Sequence, residues 1–145
     1  MTLRVERVDW LPCERLPSLW ACAERYASTI PDETTAFYLI DGFLTGRLQL
    51  WIGFDEDEPD TVRIALFAEL RHWYATGIPF LEITGIGGEC LHDVLPMLDE
   101  IERWGVEHGA KKVRIVGRFG WQRLLHSRGY RKRAVVLDKT LQEQE

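Results

Sequence analysis

In this chain of 145 residues, the residue types nearest to chemistry fall in the stretch FLEITGIGGE, residues 80–89. Gly85, Gly87 and Gly88 follow an alternating apolar run. Glycine admits the positive φ values and the close approach that a backbone nest around a phosphate requires. A glycine turn between a strand and a helix can hold a pyrophosphate; it can equally serve only to reverse the chain and let a helix pack close. Glu82 alternates with Leu81 and Ile83, so it lies on the opposite face of a strand from them, and Glu69 sits on the preceding strand. For both carboxylates, a surface pairing with a nearby arginine is an open alternative to a chemical role.

Other reactive side chains do not combine. Cys90-x-His92 is too short to build a metal site, because zinc takes three or four converging ligands and His72, His108 and His126 have no matching spacing. The acidic run EDEPD, residues 56–60, lacks the spacing and glycine of a calcium loop and reads as a solvated turn. No Ser-His-Asp order, phosphate-binding P-loop or dinucleotide fingerprint is present.

Composition sets the frame. With 46% apolar and 28% charged residues the chain is ordinary for a soluble protein, and its length suits a single domain over residues 1–145. No apolar run approaches the ~20 residues that span a bilayer, and MTLRVERVDW carries no apolar signal core. Three widely spaced cysteines argue against a disulfide framework, so a reduced, cytoplasmic setting is expected. Six tryptophans point to core anchors or contact surfaces.

Charge is divided. Residues 1–110 hold 20 acidic and 8 basic side chains, whereas residues 111–145 hold 3 acidic and 10 basic ones. The basic set, with Trp121 and Tyr130 among it, could meet nucleic acid or an acidic protein, or pair within the chain. A pI near 5.4 disfavours general nucleic-acid binding. A protein partner or self-association is expected, with neither nucleic acid nor membrane.

The elements that must position these residues follow from periodicity. TLRVERV reads as a strand. Pro17 suits the first turn of a helix whose face is Leu16, Trp20, Ala23 and Ala27, and a second helix over 32–46 carries Phe37, Ile40 and Leu44. RLQLWIGFD, TVRIALFAELRHW and FLEITGI alternate as three strands with short connections, an antiparallel meander. After the glycines, Asp93 begins a helix with Pro96 in its first turn and a stripe of Val94, Leu98, Ile101 and Gly105. KKVRIVG is a strand, GWQRLLHSRGY a short helix, and RKRAVVLDKTL a final strand. The order is β-α-α-β-β-β-α-β-α-β: an α/β (α+β) fold with a mixed, mostly antiparallel central sheet, helices on both faces and one right-handed parallel crossover at 80–117.

This order resembles the GNAT superfamily of acyl-CoA-dependent N-acyltransferases over nearly the whole chain, most clearly from GIGGECLHD to the C-terminus. IERWGVEHGAKKVRIVGRFGWQRLLHSRGY is also similar to small GNAT-like proteins of tailed bacteriophages. The resemblance implies that the fourth strand splays from its parallel neighbour to admit the pantetheine arm of acetyl-CoA. Ile83 and the loop Gly85, Ile86, Gly87, Gly88 would bind that cofactor. It also implies that a strand carboxylate, Glu82 or Glu69, serves as base for the acceptor amine.

The chain departs from the family pattern in three places, one of them an insertion at Cys90–Leu95 before Pro96 that shifts the helix start away from the glycines. No basic residue lies between Glu82 and Asp99, while Glu89 and Asp93 are added; and Leu125 stands where family members often carry a tyrosine acid, with His126 about 100° further round the helix. These departures favour the glycines as a bend, and a degenerate, non-catalytic GNAT-fold protein, a binding or structural component of a phage particle or its assembly. The alternative is an acetyl-CoA-dependent N-acetyltransferase acting on an amine.

Overall fold

A computed structural model describes residues 3–89, 93–117 and 119–142; Cys90 and His92 lie outside the described residues. The chain forms β1 (Leu3–Val8), a short 3-10 turn (Cys13–Arg15), α1 (Leu16–Ala27), α2 (Ala36–Leu44), β2 (Gln49–Asp55), β3 (Val62–His72), β4 (Pro79–Gly88), α3 (Val94–Glu107), β5 (Val113–Ile115) and α4 (Phe119–His126). The strands lie in the order β1-β2-β3-β4-β5. The first three pairings are antiparallel and β4–β5 is parallel, so the mixed sheet and its single crossover are as the sequence predicts.

Helices cover both faces, which is why the central strands are apolar on both sides. On one face Leu50, Ile52, Phe54, Ala65 and Phe67 meet α1 and α2. On the other, Trp51, Ile64, Leu66 and Ala68 meet α3 through Val94, Met97, Leu98 and Ile101, the stripe expected from sequence. Trp104 closes that stripe edge-on against Trp51, with ring centres 5.6 Å apart.

The first two helices turn out differently. Ala23 and Ala27 are buried as expected, but Leu16 and Trp20 are exposed and α1 buries Leu19 and Cys22 in their place. Phe37 and Leu44 face solvent while α2 buries Leu39, Ile40 and Phe43. Nearly every residue of AFYLIDGFL is apolar, so its phase is not set by hydrophobicity. Close approach sets it: a Cβ at Gly42 would lie 2.7 Å from Leu48 Cδ1, so that side must face inward. The helix also starts later than residue 32, at Ala36, capped by Thr35, whose hydroxyl accepts the Tyr38 N–H at 3.1 Å.

The expected last strand does not form. Residues 131–142 join no ladder, and Val135, Val136, Leu137 and Leu141 are exposed. Four consecutive apolar residues, 134–137, break the alternation, and charges fall on both faces: Arg131, Arg133 and Lys139 on one, Lys132 and Asp138 on the other. β5 also offers only three residues to pair with. The observed order therefore stops at α4.

Candidate active site at the β4–β5 splay

β4 and β5 meet over a short joint. The paired residues are Leu81 with Val113, Glu82 with Arg114 and Ile83 with Ile115. Just before them, the Lys111 N–H donates to the Pro79 carbonyl at 2.9 Å. β5 then ends, while β4 runs on through Gly88. Thr84 to Gly88 make roughly 16 Å of strand at about 3.3 Å per residue, with no sheet partner on the outer edge among the described residues. A bulge sits where the pairing stops. The β3–β4 register steps from Ala68 opposite Ile83 to Phe67 opposite Gly85, and the unpaired Thr84 donates its hydroxyl to the Phe67 carbonyl at 3.2 Å. Such a bulge bends one strand away from its neighbour.

The glycines are not the turn that the sequence suggests. Gly85, Ile86, Gly87 and Gly88 belong to β4, opposite Phe67, Leu66, Ala65 and Ile64. Among them only Gly88 has a positive φ, +136°. Their purpose is close packing. A Cβ on Gly85 would lie 2.9 Å from the Tyr26 ring, and one on Gly87 would lie 2.1 Å from the Cys22 carbonyl oxygen. Helix α1 therefore rests directly on the β4 backbone. Ile83 and Ile86 point into the α3 core, so this stretch can offer a ligand only its backbone edge. The chain turns one residue later, where the Glu89 N–H donates to the Arg63 carbonyl at 2.8 Å.

Glu82 and Glu69 are directly opposite each other across β3–β4. Two carboxylates so placed repel, and arginines answer them. Arg71 Nη1 lies 2.5 Å from one Glu82 oxygen, Arg114 Nε 4.0 Å from the other, and Arg47 Nη1 3.8 Å from Glu69. The pairing that the sequence allowed for both residues is thus present. Position distinguishes Glu82. It is 14% exposed at the side chain and lies at the root of the splay, beside the last paired residue of β4. Sequence reading missed Arg71 and Arg114 as its neighbours. The parallel register that sets Arg114 beside Glu82 is fixed by the crossover, and no local spacing encodes it.

No protein-family model matches the chain, and no curated protein matches it. Solved structures do match. An acetyltransferase from Trypanosoma brucei aligns with a TM-score of 0.70 at 8% identity, over 97% of this chain and 100% of that one. A predicted acetyltransferase from Clostridium acetobutylicum, crystallised with acetyl-CoA, aligns at 0.66 and 13% identity over 96% of both chains. A GNAT family acetyltransferase from Staphylococcus aureus aligns at 0.63 and 11% identity, over 97% of this chain and 100% of that one. The fold is that of the GNAT acetyltransferases.

Within this GNAT fold, Leu125 is a core residue, 4% exposed and packed with the α3 cluster, while His126 is exposed. The nearby Tyr130 hydroxyl donates to Glu102 Oε2 at 3.1 Å. Burial, reinforced by Glu102, raises its pKa well above the usual tyrosine range. Among the described residues no group of three His, Cys, Asp or Glu side chains could hold a metal ion, and no helix is long and apolar enough to cross a membrane.

A cleft of about 170 Å³ lies between α1 and the ends of β3 and β4, lined by Ser18, Cys22, Arg25, Gly88 and Glu89 among others. Cys22 is not a nucleophile there. Burial pushes its pKa up to about 11, against the opposing pull of Arg25. A thiol whose pKa rises on folding contributes stability below its unfolded value, near 9, and loses it as pH climbs towards 11. The Tyr26 and Tyr130 pKa values are raised as well, which extends the loss in the same direction. Urea midpoints should therefore hold steady up to about pH 8.5 and fall between pH 9 and 11. A Cys22→Ala variant would show a shallower fall; an identical slope would contradict this account of the thiol.

Proposed function

We propose that the protein is an acyl-CoA-dependent N-acetyltransferase acting on an amine. The observation that carries the reading is the parallel joint that ends at Ile83–Ile115 while β4 continues for five residues. That geometry leaves a backbone edge free to pair with the amide groups of a pantetheine arm. Acetyl-CoA, when bound, supplies an acetyl group activated as a thioester. The residues present fit it. Ile83, Gly85, Ile86, Gly87 and Gly88 offer the β4 edge. The first turn of α3 holds no acidic residue, and the Asp93 side chain makes no capping bond to it, so no bond from that side chain competes with a phosphate there. Of the two carboxylates that seemed to oppose an anion there, Glu89 is paired with Arg63 at 3.1 Å, while Asp93 stands at the N-cap of α3.

Glu82 is the base in this reading. Its carboxylate stands at the root of the splay on the α1/α2 face, and the weak 4.0 Å contact with Arg114 can be exchanged for an ammonium. Arg71 holds the other oxygen and fixes the side chain in place. Glu69, opposite, adds negative charge that favours a cationic amine at this point. The other reading of the sequence, a non-catalytic phage particle or assembly component, gains no support from the structural neighbours, which are acetyltransferases. The test is release of free CoA thiol from acetyl-CoA across a panel of small amines. Amine-dependent release is expected; none across the panel, from protein that binds acetyl-CoA, would contradict the enzyme reading.

A further inference from the structure

Beyond Glu82, the same face of the sheet carries a cluster that the reaction chemistry does not use. Phe80 stacks on Trp73, with ring centres 4.3 Å apart and planes 19° from parallel. The guanidinium carbons of Arg114 and Arg133 lie 5.6 and 5.3 Å from the same indole centre. Arg71 lies 5.9 Å from the Phe80 ring. Phe80 occupies one side of the indole, so two cations crowd what remains of it.

Their charges are poorly met. Arg71 has taken Glu82 at 2.5 Å, and Arg114 reaches that carboxylate only at 4.0 Å. Arg133 has no carboxylate within ion-pair distance among the described residues. Arg71 and Arg114 thus share the Glu82 carboxylate while Arg133 pairs with none among the described residues, in a chain whose last 35 residues are strongly basic. Stacking holds guanidinium planes in fixed orientation, which suits them to two-point recognition of a carboxylate or phosphate.

We infer that Arg114, Arg133 and Trp73 bind a small carboxylate or phosphate group, and that this group is the acidic end of the acceptor amine. The second half rests on the acetyltransferase reading; the first stands on the cluster alone. The cofactor's phosphates do not explain the cluster. It sits beside Glu82, whereas the end of β4 nearest α3 is Gly88, six residues or about 20 Å further along the strand. Arg114 is the strand partner of Glu82, so an amine on Glu82 with an acidic group a few bonds away reaches it directly.

Titrating inorganic phosphate and, separately, succinate against tryptophan fluorescence at matched ionic strength tests the site without cofactor. A saturable change at low millimolar anion is expected. Trp73→Phe should abolish it, and Arg133→Gln, at an exposed position, should weaken it at least tenfold. In acetyl transfer, amines bearing a carboxylate or phosphate should exceed matched neutral amines at least tenfold in kcat/KM, with the advantage lost through KM in Arg133→Gln. No saturable signal with either anion, or equal kcat/KM for acidic and neutral amines, would overturn the inference. Saturable anion binding without acetylation of any amine would leave the site standing and overturn the acetyltransferase reading.

Discussion

Replacing Glu82 by Gln should lower kcat for acetyl transfer about 100- to 10,000-fold, the range over which a positioned general base contributes, while leaving acetyl-CoA affinity within about twofold. The amide keeps the shape of the side chain and one acceptor oxygen for Arg71, which now lies 2.5 Å from the carboxylate. The β4–β5 joint should therefore survive the change. What is lost is the ability to take a proton from the amine. Acetyl-CoA affinity and melting temperature, both expected near the wild-type values, separate this from a structural effect. Glu69→Gln should cost tenfold or less, since Glu69 faces Glu82 across the strands and acts only through its charge. An unchanged kcat in Glu82→Gln would reduce Glu82 to a partner of arginines.

Gly87→Ala should destabilise the fold by about 3 kcal/mol, at the upper end of what overpacking usually costs. A Cβ there would lie 2.1 Å from the Cys22 carbonyl oxygen and 2.9 Å from Tyr26 Cβ. The first obstacle is backbone in the middle of α1, which cannot rotate away as a side-chain tip can. Helix α1 must lift from β4, and the Tyr26 ring over Gly85 must lift with it. For a chain of this size, a melting temperature lower by roughly 10 °C is expected. Gly46→Ala is the comparison. Gly46 has φ +81° but open space around its missing Cβ, so only conformational strain of about 1 kcal/mol applies. Equal melting temperatures for the two variants would contradict the close contact between α1 and β4.

The sequence carried the sheet well and the site unevenly. The meander was legible because Leu50, Ile52 and Phe54 alternate cleanly, and because the Trp73–Ile78 hairpin is short, closed by a Trp73 N–H to Ile78 carbonyl bond and by Gly77 at φ +70°. The α3 stripe was legible because its polar face is strongly charged. Helix α2 was not, since a nearly continuous apolar run has no preferred face until Leu48 packs against Gly42.

The glycines misled for a physical reason. Gly-rich segments usually turn, but here the space that side chains would fill is taken by the α1 backbone, and only tertiary contact reveals that. The face that Glu82 occupies was legible because alternation marks it, whereas its arginine partners depend on cross-strand register. A last strand was expected of RKRAVVLDKTL, but β5, three residues long, gives it no ladder to join.

Calorimetric titration of acetyl-CoA into the intact protein, with melting temperature followed in parallel, tests the splayed edge most directly. A single site of micromolar affinity is expected, and at about 100 times Kd it should add roughly 2.7 kcal/mol of stability and raise the melting temperature by several degrees. Absence of heat and an unchanged melting temperature at millimolar acetyl-CoA would mean that the open edge of β4 from Thr84 to Gly88 does not receive the cofactor.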